Sequence, residues 1–169
     1  GLMSMVPATG EIKSWVGGIN WEFFQYDHIK QGKRQVGSTF KPFVYATAIM
    51  NLGKTPCSVI SNEDFRQGSW KVSEGGGSYT MKDALAKSLN PVAVRVMNEV
   101  GPKNVARLAK DLGVTEDIPN NLSTALGSSE ITIYEMLGAY STFANYGNYI
   151  KPEMLWRIED ANGRLIKEV

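Results

Sequence analysis

The sequence predicts an α+β fold in which a β-hairpin, a mainly helical middle and a second β-hairpin follow one another along the chain. Two short apolar runs, Leu2–Val6 and Ile12–Val16, flank the turn residues Pro7-Ala8-Thr9-Gly10, as they do in a hairpin. Between Ser38 and Ala144, helix-start and helix-stop residues recur at helical spacing. Near the C-terminus, Asn162-Gly163 separates two alternating runs, and both residues accept the positive φ of a tight hairpin turn.

Element by element, residues 1–18 form the first hairpin, ended by Gly17-Gly18. Ile19–Gly37 mixes aromatics with charges at no clear period and reads as a loop with some packed side chains. Ser38 opens a helix closed by Asn51-Leu52-Gly53. Pro42 fits that helix only in its first turn, where its N–H would have had no intrahelical partner. Lys54–Tyr79, rich in Gly, Ser and Asn around Gly75-Gly76-Gly77, is expected to be a long surface loop bordering a cleft. Thr80 caps a short helix to Lys87, and Ser88-Leu89-Asn90 breaks it. Asn90-Pro91 joins an N-cap to a first-position proline for a helix reaching Val100. Gly101-Pro102 restarts the pattern for Lys103–Leu112, stopped by Gly113. Thr132-Ile133-Tyr134-Glu135 is a capping box, and the expected buried stripe of its helix is Met136, Leu137, Tyr140, Phe143 and Ala144. The stretch 19–152 is therefore mainly helical, and 153–169 is the second hairpin.

Composition narrows the function classes. With 169 residues, 43% apolar and 21% charged, the chain has the make-up of a packed globular protein, which excludes a disordered tail, a collagen-like repeat and a heptad rod. Eighteen Lys and Arg against seventeen Asp and Glu give a net charge of +1, with no basic run to bind a phosphate backbone, so no nucleic-acid partner is expected. Cys57 is alone and makes no internal disulfide; His28 has no Cys cluster around it for a structural zinc site. Neither a metal nor another cofactor is expected. The uncharged stretch Pro42–Gly53 falls short of the roughly 20 residues of a membrane-spanning helix, so no membrane segment is expected within the chain. The start at Gly1, directly on an apolar run, is expected to be a cut in a longer protein. Trp15, Trp21, Trp70 and Trp156 read as core or rim residues in preference to a sugar-stacking surface.

Two places hold candidate chemistry. In Gly37-Ser38-Thr39-Phe40-Lys41-Pro42, a helical spacing of three puts the Lys41 amine on the face of the Ser38 hydroxyl. A serine needs a base to become a nucleophile, and Lys41 serves if burial or nearby cations lower its pKa towards neutrality. The Ser38 backbone N–H at the helix start then offers an oxyanion donor. The same residues also fit a simple N-cap and a solvated lysine. The second place is Ser88-Leu89-Asn90, where a hydroxyl and a carboxamide lie between two helices. An ordinary cap explains Asn90 equally well.

Taken together, Ser38-x-x-Lys41 and Ser88-x-Asn90 resemble the first two motifs of the penicillin-recognising serine acyltransferases. The stretches Arg34–Ala46, Ala84–Arg95 and Ala125–Thr132 are similar to the transpeptidase domain of class A, bifunctional penicillin-binding proteins, as are Thr9–Lys13 and Val16-Gly17-Gly18. The resemblance covers essentially the whole chain in the family's order. It implies a partial penicillin-binding transpeptidase fold, the fold shared with serine β-lactamases, and a DD-transpeptidase activity that crosslinks peptidoglycan. Ser38 would attack the penultimate D-Ala carbonyl of a donor stem peptide, and an amine of a second stem would take the acyl group. Lys41 would be the acylation base, Ser88 would pass the proton towards the leaving group, and Asn90 would bond Lys41 or the substrate amide. β-Lactams would acylate Ser38.

The sequence holds no Lys-Thr-Gly, the family's third motif, which binds the substrate carboxylate and leads to the second oxyanion donor. The expectation is a truncated domain that is weak or inactive alone, its first hairpin left with an open edge for self-association. The resemblance also implies a glycosyltransferase domain and a membrane anchor upstream, on the outer face of the cytoplasmic membrane. Val36 and Pro91 stand where the family often has Pro and Thr. The competing readings are a serine β-lactamase-like hydrolase and a non-catalytic binding or scaffold module.

Overall fold

The computed structural model describes residues 1–20 and 22–168; the readings made for Trp21 and Val169 fall outside it. In chain order the elements are β1 (Leu2–Met5), β2 (Ile12–Val16), β3 (Lys33–Gln35), α1 (Lys41–Leu52), β4 (Val59–Ser61), β5 (Phe65–Gln67), β6 (Trp70–Val72), β7 (Ser78–Thr80), α2 (Met81–Ala86), α3 (Asn90–Val100), α4 (Pro102–Asp111), β8 (Glu130–Thr132), α5 (Ile133–Ala144), β9 (Arg157–Glu159) and β10 (Leu165–Glu168), with 3₁₀ turns at Gly37–Phe40 and Leu122–Leu126. They are both helical and extended, an α+β chain as the patterns predict. Its contacts group into two units, Gly1–Lys33 with Leu112–Thr115 and Ile131–Val169, and Arg34–Asp111 with Glu116–Glu130.

In the first unit, β1 and β2 pair antiparallel from Leu2 opposite Val16 to Met5 opposite Ile12, with a bulge after Ser4. The Ser4 and Ser14 hydroxyls bond across the strands at 2.6 Å. Trp15 lies against the Tyr134 ring of α5 and donates from its indole N–H to Asp27 Oδ2 at 3.1 Å. His28 is half-buried, its ring edge-on to Tyr26.

The capping box at Thr132 and Glu135 is present. The Glu135 carboxylate also accepts from Thr115 N–H at 2.9 Å and Thr115 Oγ1–H at 2.6 Å. That anchor turns the helix. The buried face of α5 is Glu135, Gly138, Ala139, Ser141 and Thr142, while Phe143 is 44% exposed and Met136, Leu137 and Tyr140 are half-buried. The expected apolar stripe is thus displaced, because a buried, fourfold-bonded carboxylate dictates which side faces inward. β9 and β10 pair antiparallel with exposed side chains throughout. Asp160 Oδ1 organises their turn by accepting from the Asn162 and Arg164 N–H groups.

The second unit is built around α1. Phe40, Phe43, Val44 and Ala48 are fully buried, and so are Val92, Ala93, Val94, Val96 and Met97 of α3 and Val105 and Ala109 of α4. α1 packs on α3 and α4, and the Leu122–Leu126 turn packs on α3 and on the Gly37–Phe40 turn. Each buried Phe or Val contributes about 1.5–3 kcal/mol, so the α1–α3 contact is what fixes the start of α1 in space.

The long loop expected over Lys54–Tyr79 is instead two small antiparallel sheets. β4 pairs with β7, Ile60 opposite Tyr79, and β5 pairs with β6, Arg66 opposite Lys71. Three-residue strands are too short to display a period of two. The start of β5 is held from outside, because Arg95 of α3 donates to Glu63 O at 2.7 Å and Asp64 O at 3.1 Å and lies over the Phe65 ring.

Candidate active site

Ser38 lies in the 3₁₀ turn that leads into α1. Val36 N–H donates to Ser129 O at 3.1 Å and Gly37 N–H to Gly127 O at 3.0 Å, so two backbone bonds hold the turn before Ser38 arrives. The residue before the turn is Val36, and α1 itself begins at Lys41 with Phe40 before it. Ser38 is therefore not the expected cap. It is exposed, inside the turn, and its carbonyl accepts from Lys41 N–H. Pro42 falls within the first two positions of α1, as its missing donor requires.

Lys41 is fully buried, and it follows Phe40, whose ring packs tilted against that of Phe43. The solvated-lysine reading fails here. Its Nζ donates to Ser88 O at 2.5 Å, Ser88 Oγ at 2.9 Å and Asn90 Oδ1 at 2.7 Å. Burial lowers its pKa below the ordinary lysine value, against the opposing field of the Glu74 carboxylate.

Ser88 reaches Lys41 because of how α2 ends. Leu89 N–H donates to Ala84 O at 2.9 Å and Ser88 N–H to Leu85 O at 3.0 Å, the two bonds of a Schellman termination. The residue in its left-handed position is Ser88, with φ of 56°, where glycine is the usual occupant. A side chain in that region costs about 1–2 kcal/mol, and strain of this kind collects at functional sites. It sends both the Ser88 carbonyl and its hydroxyl to Lys41.

Asn90 is not an N-cap either. α3 is preceded by Leu89, with no side-chain cap, and Asn90 is its first residue. The Asn90 side chain spans the site, its oxygen on Lys41 and its Nδ2–H on Glu74 Oε1, while the Asn90 backbone N–H donates to Glu74 Oε2 at 2.6 Å. Lys41, Ser88 and Asn90 thus converge, with Ser38 one turn before Lys41. Glu74 is the participant that motif spacing missed. The sequence signal for it was a carboxylate followed by three glycines in a segment read as loop.

This arrangement holds a buried amine whose charge is disfavoured against a hydroxyl and an amide, with an exposed serine one turn earlier in the chain. A lysine whose charge is disfavoured by burial is of the kind that can serve as a general base to a serine.

The family model described as "Penicillin binding protein transpeptidase domain" matches residues 2–168. Penicillin-binding protein 1A of Pseudomonas aeruginosa is 34% identical over 176 residues, covering 98% of this chain and 21% of its own length. Penicillin-binding protein 2D of Bacillus subtilis is 32% identical over 179 residues, covering 99% of this chain and 26% of its own length. The chain therefore spans about a fifth to a quarter of these curated relatives. Among solved structures, penicillin-binding protein 1A from Haemophilus influenzae superposes with a TM-score of 0.90 at 28% identity, over 99% of this chain and 26% of that one. PonA1 from Mycobacterium tuberculosis in complex with penicillin V does so with a TM-score of 0.87 at 26% identity, over 98% of this chain and 48% of that one. Matched along almost every residue, the chain belongs to the penicillin-binding protein transpeptidase family.

Proposed function

We propose that the protein of which this chain is part is a serine DD-transpeptidase that crosslinks peptidoglycan, and that Ser38, Lys41, Ser88 and Asn90 carry its acyl transfer. The observation that supports this most strongly is the buried Lys41 amine bonded to Ser88 and Asn90 one turn from an exposed Ser38. Lys41, as the neutral amine, takes the proton of Ser38 Oγ as the oxygen attacks the D-Ala carbonyl. The tetrahedral intermediate collapses to an ester and the terminal D-Ala leaves as its amine, protonated through Ser88 from Lys41. A second stem's amine then attacks the ester, loses a proton back through the same pair, and regenerates Ser38. Asn90 holds Lys41 in line throughout. A β-lactam follows the first half and stops at the ester, and penicillin V is the ligand of the PonA1 structure.

The reading places the catalytic segment on the outer side of the cytoplasmic membrane, where peptidoglycan stems lie. No helix among the described residues is long and apolar enough to cross a membrane. The β1–β2 hairpin is a two-stranded sheet among the described residues, with Leu2 and Val16 about half exposed, and we assign to it the capacity to pair with a second copy. The deciding experiment is labelling with a fluorescent penicillin. Label on this chain that disappears in Ser38→Ala supports the nucleophile; label that persists in Ser38→Ala sinks the assignment. Because Lys-Thr-Gly is not in the sequence, labelling is expected to be slow and substoichiometric.

A further inference from the structure

Glu74, in the segment between β6 and β7, directs both carboxylate oxygens at one residue. Oε2 accepts from the Asn90 backbone N–H at 2.6 Å and Oε1 from Asn90 Nδ2–H, while Asn90 Oδ1 accepts from Lys41 Nζ at 2.7 Å. A carboxamide has a donating end and an accepting end that a half-turn exchanges. On one side the Lys41 amine donates to it, and on the other a carboxylate only accepts. Between Lys41 and Glu74, Asn90 is left a single orientation.

The segment carrying Glu74 is secured at its far end. Glu63 Oε1 accepts from Gly77 N–H at 3.0 Å, and a side chain at Gly76 would come within 2.9 Å of that same oxygen. Gly77 itself has φ of 88°, a conformation open to glycine. The three glycines after Glu74 thus permit a close, defined path that returns the chain to β7.

We propose that Glu74 is a positioning residue of this site: it holds the Asn90 amide with its oxygen on Lys41 and fixes a negative charge beside the Lys41–Ser88–Asn90 cluster. The inference rests on the acyl-transfer reading for its kinetic consequence, while the orientation of Asn90 stands without it. Among the described residues, the charge that acts on Lys41 is that of Glu74; Lys87, next to Ser88, sits over the Tyr79 ring at 5.0 Å. The Glu74 field opposes the effect of burial, so Lys41 keeps its proton to higher pH with Glu74 than without it.

The test compares this chain with Glu74→Gln and Glu74→Asp by NMR, following solvent exchange of the Asn90 side-chain amide and titration of Lys41 Cε, with circular dichroism melts as folding controls. Loss of a charge-assisted hydrogen bond in Glu74→Gln is expected to speed Asn90 amide exchange about tenfold or more. Lys41 should titrate at lower pH in that variant, and Glu74→Asp, which keeps the charge, should return the titration towards wild type. Unchanged exchange and titration in a folded Glu74→Gln overturn the proposal. Slower penicillin labelling of Glu74→Gln with both NMR readouts unmoved also overturns it, because Glu74 would then act on the ligand directly. Wild-type chain that takes no label while the NMR readouts move as expected removes the acyl-transfer reading and leaves the positioning role standing.

Discussion

Gly37 and Gly127 touch backbone to backbone: the Gly37 N–H donates to Gly127 O at 3.0 Å, and a β-carbon on Gly127 would overlap the Gly37 peptide. This contact seats the turn that carries Ser38. Gly127 has φ of 74° and Gly37 of 56°, but a β-carbon on Gly37 would meet nothing within 4 Å. Gly37→Ala should therefore cost only the left-handed conformation, about 1 kcal/mol. Gly127→Ala adds overpacking and should cost about 2–4 kcal/mol, with slower labelling of Ser38. Urea melts of the two variants check the difference, and equal costs would show that the close approach is not what the position requires.

Ser88 separates strain from chemistry. Ser88→Gly places glycine where the Schellman termination prefers it and is expected to leave stability unchanged or raise it by up to about 1 kcal/mol. Ser88→Ala keeps the strain and loses the hydroxyl. Both variants should lose penicillin acylation, since neither retains Oγ. A stable Ser88→Gly that still labels at the wild-type rate would remove Ser88 from the proton path.

Lys41→Arg tests the base. Arginine stays charged at any working pH and accepts no proton, so acylation should fall about 10²- to 10⁴-fold, the usual contribution of a general base. In the wild type the rate should rise with pH as Lys41 loses its proton, along a limb centred below the ordinary lysine value of 10.5. Stopped-flow labelling against pH measures both, and a limb at or above that value would contradict the effect of burial.

Glu135 should make stability fall in acid. Burial pushes its pKa up, but hydrogen bonds from Thr115 and Thr132 outweigh this and hold it below the ordinary 4.5. A carboxylate whose folded pKa is depressed stabilises the fold above its unfolded pKa, and that contribution is lost as pH falls through the folded value. Urea melts should therefore show a decline below about pH 4.5, and Glu135→Gln should flatten it. An identical decline in the variant would assign the acid sensitivity to other carboxylates.

Self-association through the first hairpin predicts a concentration-dependent mass by light scattering. Met3→Pro places an imino acid in β1, opposite Trp15, and should abolish it. A monomer at every concentration would count against the open edge.

Much of this was legible in the sequence, and the failures have physical causes. Thr132 with Glu135, Asn162-Gly163, Gly53 closing α1 and the serine and lysine motifs all depend on local chemistry that residue identity carries. β4 to β7 were invisible because three-residue strands are too short to show a period of two, and Arg95, which holds the start of β5, is supplied by another part of the chain. The capping explanations for Ser38 and Asn90 were sound by propensity and lost to tertiary contacts, Asn90 being drawn off by Lys41 and Glu74. The α5 stripe was misplaced by counting apolar residues, when the buried carboxylate of Glu135 orients the helix.

The Lys41 amine finds its partners 47 and 49 residues further along the chain. Its unusual environment therefore cannot exist in any local fragment of α1; it appears only when α1 and α3 have docked. Until those segments close on it the lysine is an ordinary, solvated, charged side chain, and its buried environment is created by the docking that brings Ser88 and Asn90 to it. Amine-reactive probes directed at Lys41 would accordingly time the docking of these helices, and the onset of serine reactivity should coincide with that moment.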